Sequence, residues 1–363
     1  MSTTPTNGST DVQANTSVAV EFSTTPASNS ATPVISPHVT GTWSHESDDE
    51  LVFTPDQSFV PFTKYTVTIP GGAHGVTGAD GSHLHGETSA DFTVANGSLL
   101  RLQQLLAKLG YLPLSFTGAT PSLADAALPQ TGTFAWRWPG LPSQLTDQWI
   151  EGVPNAITKS AIMMFETEND LSVDGVAGPA VWTALLAADA TDKANAEPWT
   201  YVLVTKVDPE HLTAWVNGAL DFKDILVNTG VLGATTTNGT FEVFEHVRTS
   251  DMKGTDVTGK KYTDPSIPWV SYFHGGEALH GYVRAEYGFP QSNGCVEMKI
   301  TTAGKLWPDT PLGTLVTLQG PTPKQKGPTA GTTTTAHPGT APTTTTTTAP
   351  PATITTTAPA TAG

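Results

Sequence analysis

The stretch Ser-Asn-Gly-Cys-Val-Glu-Met, Ser292–Met298, holds the only cysteine of the 363-residue chain, and the pair His280-Gly281 precedes it by fifteen positions. A single cysteine cannot form a disulfide within the chain, so Cys295 serves either packing or chemistry. Gly294 allows backbone conformations closed to other residues and leaves room for a substrate beside the main chain. This stretch therefore predicts a thiol nucleophile on a tight turn whose backbone amides stabilise an oxyanion.

Three separated segments of the chain carry a family resemblance. The stretches GGEALHG, Gly275–Gly281, and GFPQSNGCVEM, Gly288–Met298, resemble the catalytic signature of the L,D-transpeptidases. Upstream, NTGVLGATTTNGTF, Asn228–Phe241, is similar to a further segment of that family. Two positions depart from the family pattern: Asn293 stands where His is usual, and Glu297 stands where Arg or Asn is usual. The second departure leaves the acceptor specificity open.

The resemblance implies a role for each residue of the signature. His280 would take the proton of Cys295, since the thiolate is the nucleophile in such chemistry. The main-chain carbonyl of Gly281 would orient the His280 ring. The backbone N–H groups of Asn293, Gly294 and Cys295 would stabilise the oxyanion.

Four further residues are expected to contact substrate: His274, Tyr272, Ser292 and Glu297. His274 lies six residues before His280, so on one extended strand both side chains would share a face, although a structural role stays open. Ser292 is also expected to support the turn. The polar stretch Arg248–Asp264 falls where the family has a flap over the cleft, and its lysines could meet carboxylates of stem peptides.

The resemblance implies acyl transfer on peptidoglycan. The enzyme would attack the carbonyl between the third stem residue and D-Ala at position four, release D-Ala, and pass the acyl group to a neighbouring stem, giving a 3→3 cross-link. Two alternatives stay open: an L,D-carboxypeptidase that uses water, and a non-catalytic wall-binding protein. The resemblance also implies that a carbapenem would acylate Cys295. Peptidoglycan stem peptides and glycan are the expected partners, no cofactor or metal is expected, and we expect a monomer.

Composition limits the partners further. The formal net charge is −16 and the sequence pI is near 4.8, which argues against nucleic acid or an anionic membrane surface as partner. No apolar run is long enough to span a bilayer. Met1 leads directly into STTPTNGSTDV without a basic region or an apolar segment, so no export signal is visible in this numbering. The extracytoplasmic, cell-envelope location that we expect therefore rests on the family resemblance.

Residues 1–96 predict an all-β domain. Apolar residues alternate at Val18, Val20 and Phe22, between turns rich in Gly and Pro, which is typical of a small sandwich. The segments PTNGSTDV and ELVFTPDQSFVPFTKYTVTI resemble bacterial Ig-like domains. His83 and His85 form a His-x-His pair suited to a metal, but no third ligand is evident, so an exposed loop is the preferred interpretation.

Residues 97–190 predict a three-helix domain. Leu102, Leu105, Leu106 and Leu109 fall on one helical face that ends at Gly110. A second helix is predicted to begin with Thr158 as its N-cap, and a third at Pro179. These helices resemble a peptidoglycan-binding domain, interrupted by an insertion over residues 114–155. The tryptophans of the insertion either stack on sugars or pack against a neighbouring domain, and packing is the preferred interpretation; they are Trp136, Trp138 and Trp149.

Residues 199–320 predict a β-rich catalytic domain that opens with a hairpin of Tyr201–Val207 and Leu212–Gly218. Residues 321–363 are rich in Thr, Pro and Ala and lack apolar periodicity, so we expect a disordered tail. The sequence therefore predicts a multidomain chain with an Ig-like sandwich, a helical wall-binding domain, a catalytic domain and a tail.

Overall fold

The computed structural model describes residues 1–323, which form an N-terminal β-sandwich, a helical region and a C-terminal β-rich domain. The predicted order of all-β, helical and β-rich parts is confirmed. Among these residues no helix combines the length and the apolar character needed to cross a bilayer. The predicted tail, residues 321–363, lies outside the described residues from residue 324 onward.

The N-terminal sandwich has two four-stranded sheets. Its strands are β1 Ser2–Thr4, β2 Ser9–Val12, β3 Val18–Glu21, β4 Val34–Ser36, β5 Gly41–Ser47, β6 Glu50–Pro55, β7 Lys64–Ile69 and β8 Thr88–Val94. One sheet has the order β1-β3-β6-β5 and the other β2-β8-β7-β4. Side chains alternate along a strand, so Val18 and Val20 of one sheet and Tyr65 and Val67 of the other are buried between the sheets.

The helical region contains three main helices, one short helix and a hairpin: α1 Leu99–Lys108, β9 Leu114–Gly118, β10 Gly132–Trp136, α2 Ser143–Thr146, α3 Ala156–Glu168 and α4 Pro179–Ala190. The predicted end of α1 agrees with Gly110, whose φ is 85°. The prediction of Thr158 as the cap of α3 is wrong. Asn155 is the N-cap, and its side-chain oxygen accepts from the Thr158 N–H at 2.8 Å.

The aromatic residues of the predicted insertion are used for packing. The Trp138 ring stacks on Trp199 with centroids 5.8 Å apart, and Phe134 meets Trp149 edge-on at 5.3 Å. Trp136 is partly buried against the same helical core. These contacts support the packing interpretation over a sugar-binding platform, because the rings are already covered on at least one side by protein.

The C-terminal domain has two sheets and one helix, built from β11 Thr200–Thr205, β12 His211–Val216, β13 Ala219–Leu226, β14 Gly239–Glu242, β15 Glu245–Thr255, β16 Lys261–His274, β17 Glu277–Gly281, β18 Val296–Met298, α5 Ile300–Leu306 and β19 Leu315–Gln319. The first sheet has the order β13-β12-β11-β19-β14 and the second β15-β16-β17-β18. The predicted opening hairpin is present, since β11 and β12 pair antiparallel.

The strand β11 separates two apolar cores. Val202 and Val204 point toward the second sheet, whereas Tyr201 and Leu203 point toward the helices. Leu315 of β19 joins the helical side, because β19 runs parallel to β11 in the same sheet. The helical region therefore covers the outer face of the first sheet, and the second sheet is left free to build a site on its own outer face.

Candidate active site

Cys295 lies at the end of a turn that its neighbours hold in shape. The Ser292 hydroxyl donates to the Cys295 carbonyl at 2.6 Å and accepts from the Gly294 N–H at 3.1 Å. Gly294 has a φ of 118°, a conformation that a side chain would strain. Ser292 is 2% exposed and forms both of these hydrogen bonds inside the turn, so its side chain supports the turn.

Parallel pairing of β17 with β18 brings the predicted nucleophile and base to one face. Leu279 pairs with Val296, and both side chains enter the core between the sheets. The alternate residues His280 and Cys295 therefore face the other way, where both line a cavity of about 300 Å³. The alternation of side chains along β17 and into β18 therefore places His280 and Cys295 on one face, although they are fifteen residues apart in the chain.

His280 is 2% exposed, and its Nδ1 lies 3.2 Å from the Gly281 carbonyl oxygen. Because a carbonyl only accepts, this contact assigns the proton to Nδ1 and leaves Nε2 as the basic nitrogen. Burial lowers the pKa of His280, although the charge of Glu297 and the Gly281 carbonyl oppose that effect. A side chain at Gly281 would come 2.9 Å from the Ile300 Cα at the start of α5, so glycine lets this helix approach the base.

The Cys295 thiol is protonated at neutral pH. Burial raises its pKa to about 12, against a hydrogen bond from the Ala278 amide, and the charges of Glu297 and Glu277 raise it further. The sulfur also lies 3.6 Å from the carbonyl oxygen of Gly276. A neutral thiol and a neutral imidazole therefore face the same cavity, and attack by such a thiol needs a general base as the bond forms.

One predicted oxyanion donor is corrected by the geometry of the turn. The Gly294 N–H already donates to the Ser292 hydroxyl at 3.1 Å. Its amide is therefore occupied within the turn, which leaves the amides of Asn293 and Cys295 as the candidate oxyanion donors. Asn293 is exposed and lines the same cavity as the thiol, so its position agrees with this role.

Glu297 is 4% exposed and pairs with Arg284. Arg284 donates from Nε and Nη2 to the two carboxylate oxygens, each at 2.8 Å, and its guanidinium lies 4.6 Å from the centroid of the Tyr282 ring. Glu297 lines the cavity, but both of its oxygens are satisfied by this fork. Sequence reasoning missed Arg284, although a carboxylate two residues from the nucleophile is a signal that a cation must lie nearby.

The antiparallel hairpin of β15 and β16 forms the flap predicted for Arg248–Asp264. It contributes Tyr262, Asp264 and Tyr272 to the cavity. The Tyr272 hydroxyl lies 2.9 Å from the Ser250 hydroxyl on the neighbouring strand, which fixes the ring in the cavity wall. The sequence predicts Tyr272 as a substrate contact, whereas Tyr262 and Asp264 emerge only from the structure.

His274 does not line the cavity. The pairing of β16 with β17 shifts register between Tyr272 and His274, and the side chain of His274 is 44% exposed. Its ring lies against Phe241 with centroids 4.4 Å apart, and its Nδ1 lies 3.8 Å from a Glu277 carboxylate oxygen. The expectation that His274 shares the face of His280 fails because a turn and this register shift separate them.

The segment Asn228–Phe241, which carries part of the resemblance, supports the nucleophile turn. The Asn228 backbone exchanges two hydrogen bonds of 2.9 Å with Glu297, and the Val231 N–H donates to the Ser292 carbonyl at 3.1 Å. Farther along, the Glu277 carboxylate accepts from the N–H and hydroxyl of Thr237. This segment therefore holds both the turn and the start of β17.

The His-x-His pair of the sandwich is exposed. His83 and His85 lie in the loop between β7 and β8. Within residues 1–323 no group of three or more potential ligands is arranged to hold a metal ion. The preferred interpretation, an exposed loop, agrees with this placement.

Comparison with known families gives three matches in chain order. Residues 1–94 match the bacterial Ig-like domain, residues 145–185 the peptidoglycan binding domain and residues 200–318 the L,D-transpeptidase catalytic domain. The chain therefore carries an L,D-transpeptidase catalytic domain preceded by a peptidoglycan-binding domain and an Ig-like domain, as the sequence predicts. No curated protein matches the chain.

Several solved structures are similar to the chain. L,D-transpeptidase 3 from Mycobacterium tuberculosis is 13% identical, with 88% of this chain and 98% of that chain covered and a TM-score of 0.31. An L,D-transpeptidase from Mycobacterium smegmatis is 12% identical, with the same coverage and a TM-score of 0.29. The catalytic domain of an E. faecium L,D-transpeptidase is 21% identical over 34% of this chain and 100% of that chain, with a TM-score of 0.30. At these TM-scores the likenesses carry no argument.

Proposed function

We propose that this protein is a cysteine-dependent L,D-transpeptidase that forms 3→3 cross-links between peptidoglycan stem peptides. One observation carries the proposal: His280 and Cys295 line the same cavity on paired strands, under a hairpin flap, within a domain that matches the L,D-transpeptidase catalytic family. A thiol, a buried base with an oriented ring and free amides on the nucleophile turn are the parts that acyl transfer requires.

Acylation begins with the neutral pair. As the Cys295 sulfur attacks the carbonyl between the third stem residue and D-Ala, Nε2 of His280 takes the thiol proton. The amides of Asn293 and Cys295 stabilise the negative oxygen of the tetrahedral intermediate. The C–N bond then breaks, the proton on His280 passes to the leaving D-Ala amine, and a thioester remains on Cys295.

Deacylation repeats these steps with a second nucleophile. The amine of a neighbouring stem attacks the thioester carbonyl and gives a proton to His280. The C–S bond breaks, and the proton returns to the Cys295 sulfur. If water takes the place of the amine, the same steps release a tripeptide, which is the carboxypeptidase outcome.

The wall setting follows from the same proposal. Stem peptides and glycan are the partners, and the site of action is extracytoplasmic, at the cell envelope. The peptidoglycan-binding domain supports this, because it brings the catalytic domain to an insoluble polymeric substrate. We further propose that the protein acts as a monomer, since His280 and Cys295 come from one chain.

Mass spectrometry of purified disaccharide-tetrapeptide after incubation with the protein tests the proposal. We expect a cross-linked dimer that has lost one D-Ala, and Cys295→Ala should yield none while retaining the thermal melting curve of the parent. Tripeptide monomer as the sole product would show carboxypeptidase activity instead of cross-linking. Unchanged substrate in the presence of folded protein would favour a non-catalytic wall-binding protein.

A further inference from the structure

One acidic side chain of the cavity has no partner among residues 1–323. Asp264 lies on the flap strand β16, opposite Met252 of β15, and lines the cavity that contains His280 and Cys295. Among residues 1–323, no side chain or amide forms a hydrogen bond or a salt bridge with its carboxylate. A partly buried carboxylate without a partner loses solvation that nothing in the protein replaces.

The other charged side chains of the cavity are either paired with each other or exposed to solvent. Glu297 and Arg284 satisfy each other through two hydrogen bonds of 2.8 Å. Asp251 also lines the cavity, but it is exposed and one of its oxygens accepts from the Ser266 N–H at 2.9 Å. Lys253 is exposed and forms no salt bridge with any described residue. Asp264 is therefore the anionic group that the cavity leaves available for a ligand.

The surroundings of Asp264 favour a cation. Burial raises the pKa of its carboxyl and the charge of Glu297 adds to this, whereas Arg284 and His280 lower it. A positive group entering the cavity would reverse the cost of burying this carboxylate. His280 lines the same cavity, so the carboxylate and the proposed general base face one space.

We propose that Asp264 binds the ammonium group of the acceptor stem and holds it beside His280 for attack on the thioester. This inference rests on the proposed function, because it concerns the second half of that reaction. An acceptor amine must enter the cavity with its charge compensated and must lose a proton before it can attack. A carboxylate at the cavity wall serves both needs, since it pairs with the ammonium and accepts one of its protons.

The protons of this step balance. The ammonium gives one proton to Asp264 and becomes a neutral amine, whose lone pair forms the new C–N bond at the thioester carbonyl. A second proton passes from that nitrogen to His280. As the C–S bond breaks, His280 returns this proton to the Cys295 sulfur, and Asp264 releases its own proton to solvent.

The test separates donor from acceptor. The donor is a disaccharide-tetrapeptide whose side-chain amine is acetylated, so it can form the thioester but cannot accept. The acceptor is a disaccharide-tripeptide with a free amine, which lacks the bond to be cleaved. Acylation and hydrolysis are measured with the donor alone, and cross-linking with both, for the parent protein, for Asp264→Asn and Asp264→Glu, and for Glu245→Gln at an exposed residue of β15.

We expect Asp264→Asn to lower kcat/KM for the acceptor by about tenfold or more, the loss typical of a hydrogen bond to a charged group, while acylation by the donor stays unchanged. Asp264→Glu should restore much of this loss, and Glu245→Gln should behave as the parent protein, because Glu245 does not line the cavity. An unchanged acceptor kcat/KM in folded Asp264→Asn, or an equal fall in donor acylation, would overturn this inference alone. A parent protein that forms no thioester would overturn the proposed function and this inference with it.

Discussion

Cys295 is held as a thiol by the same surroundings that position it. The carboxylates of Glu277 and Glu297 anchor the neighbouring loop and Arg284, yet their negative charge adds to the effect of burial on the thiol pKa. A reactive cysteine usually has a lowered pKa, so in the proposed mechanism His280 must remove the proton as the bond forms.

Alkylation of Cys295 by iodoacetamide should follow this raised pKa. Because only the thiolate reacts, the rate should rise about tenfold per pH unit from pH 6 to 9 without a plateau, given a pKa of about 12. Intact-mass kinetics on the parent protein measure this rate directly, since the chain has no other cysteine. A plateau below pH 8 would show a preformed thiolate–imidazolium pair instead.

His280 and His274 provide a matched pair of substitutions. His280→Ala should lower kcat by about a hundredfold to ten-thousandfold, because it removes the general base. His274→Ala should change kcat little, since its exposed ring lies outside the cavity. Steady-state kinetics with disaccharide-tetrapeptide, alongside melting curves, decide this, and equal losses in the two variants would show that the base is misassigned.

Some residues of the site can be predicted from the sequence alone, and others cannot. Cys295, His280 and Gly281 are recognisable because their motifs are short and contiguous. Arg284 and Asp264 are not, because one pairs across the site with a glutamate and the other reaches the cavity through the register of the flap hairpin. Such pairings depend on which strands become neighbours, and a local pattern does not encode that.

At the scale of elements, the strand β11 explains why the helical region is attached to the catalytic domain. The sequence predicts this strand as part of a hairpin, and the structure buries one face against the second sheet and the other against the helices. The sequence predicts the strand but not which elements cover it, because a sheet and a helix can bury an apolar side chain equally well.

The shared core predicts coupled unfolding of the helices and the catalytic sheet. Leu315→Ala, on the helical side of β19, should lower the free energy of unfolding by about 2–5 kcal/mol, as is typical of a buried leucine. Enzyme activity and helical circular dichroism should be lost at the same denaturant concentration. Leu123→Ala is the control, since that side chain is 56% exposed. Loss of activity well before loss of helix would contradict a shared core.

At the scale of the whole molecule, the three regions are joined by specific contacts. Between the sandwich and the insertion, the Ser58 hydroxyl donates to the Ala124 carbonyl at 2.6 Å and Asn15 donates to Asp125 at 2.9 Å. Between the helical region and the catalytic domain, Trp138 stacks on Trp199, which directly precedes β11. A fragment of the helices alone would expose these surfaces, so wall binding is best measured on the full chain.

Full-length Cys295→Ala should sediment with insoluble peptidoglycan and stay bound as salt rises to 1 M. The chain carries a net charge of −16, so ionic adsorption to an anionic wall is disfavoured, and at 1 M salt the Debye length is only about 3 Å. Binding that persists would support recognition by the peptidoglycan-binding domain. Protein left in the supernatant at every salt concentration would make the helices a scaffold for the catalytic sheet only.

If Cys295 is the nucleophile that becomes acylated, a carbapenem should modify it covalently. The thiol should open the strained lactam carbonyl with the help of His280 and the turn amides, as the family resemblance implies. Intact-mass spectrometry of the full chain should show an increase of one drug equivalent, mapped by peptide digestion to Cys295 and absent from Cys295→Ala. An unchanged mass, or an adduct on any other residue, would show that Cys295 is not the nucleophile.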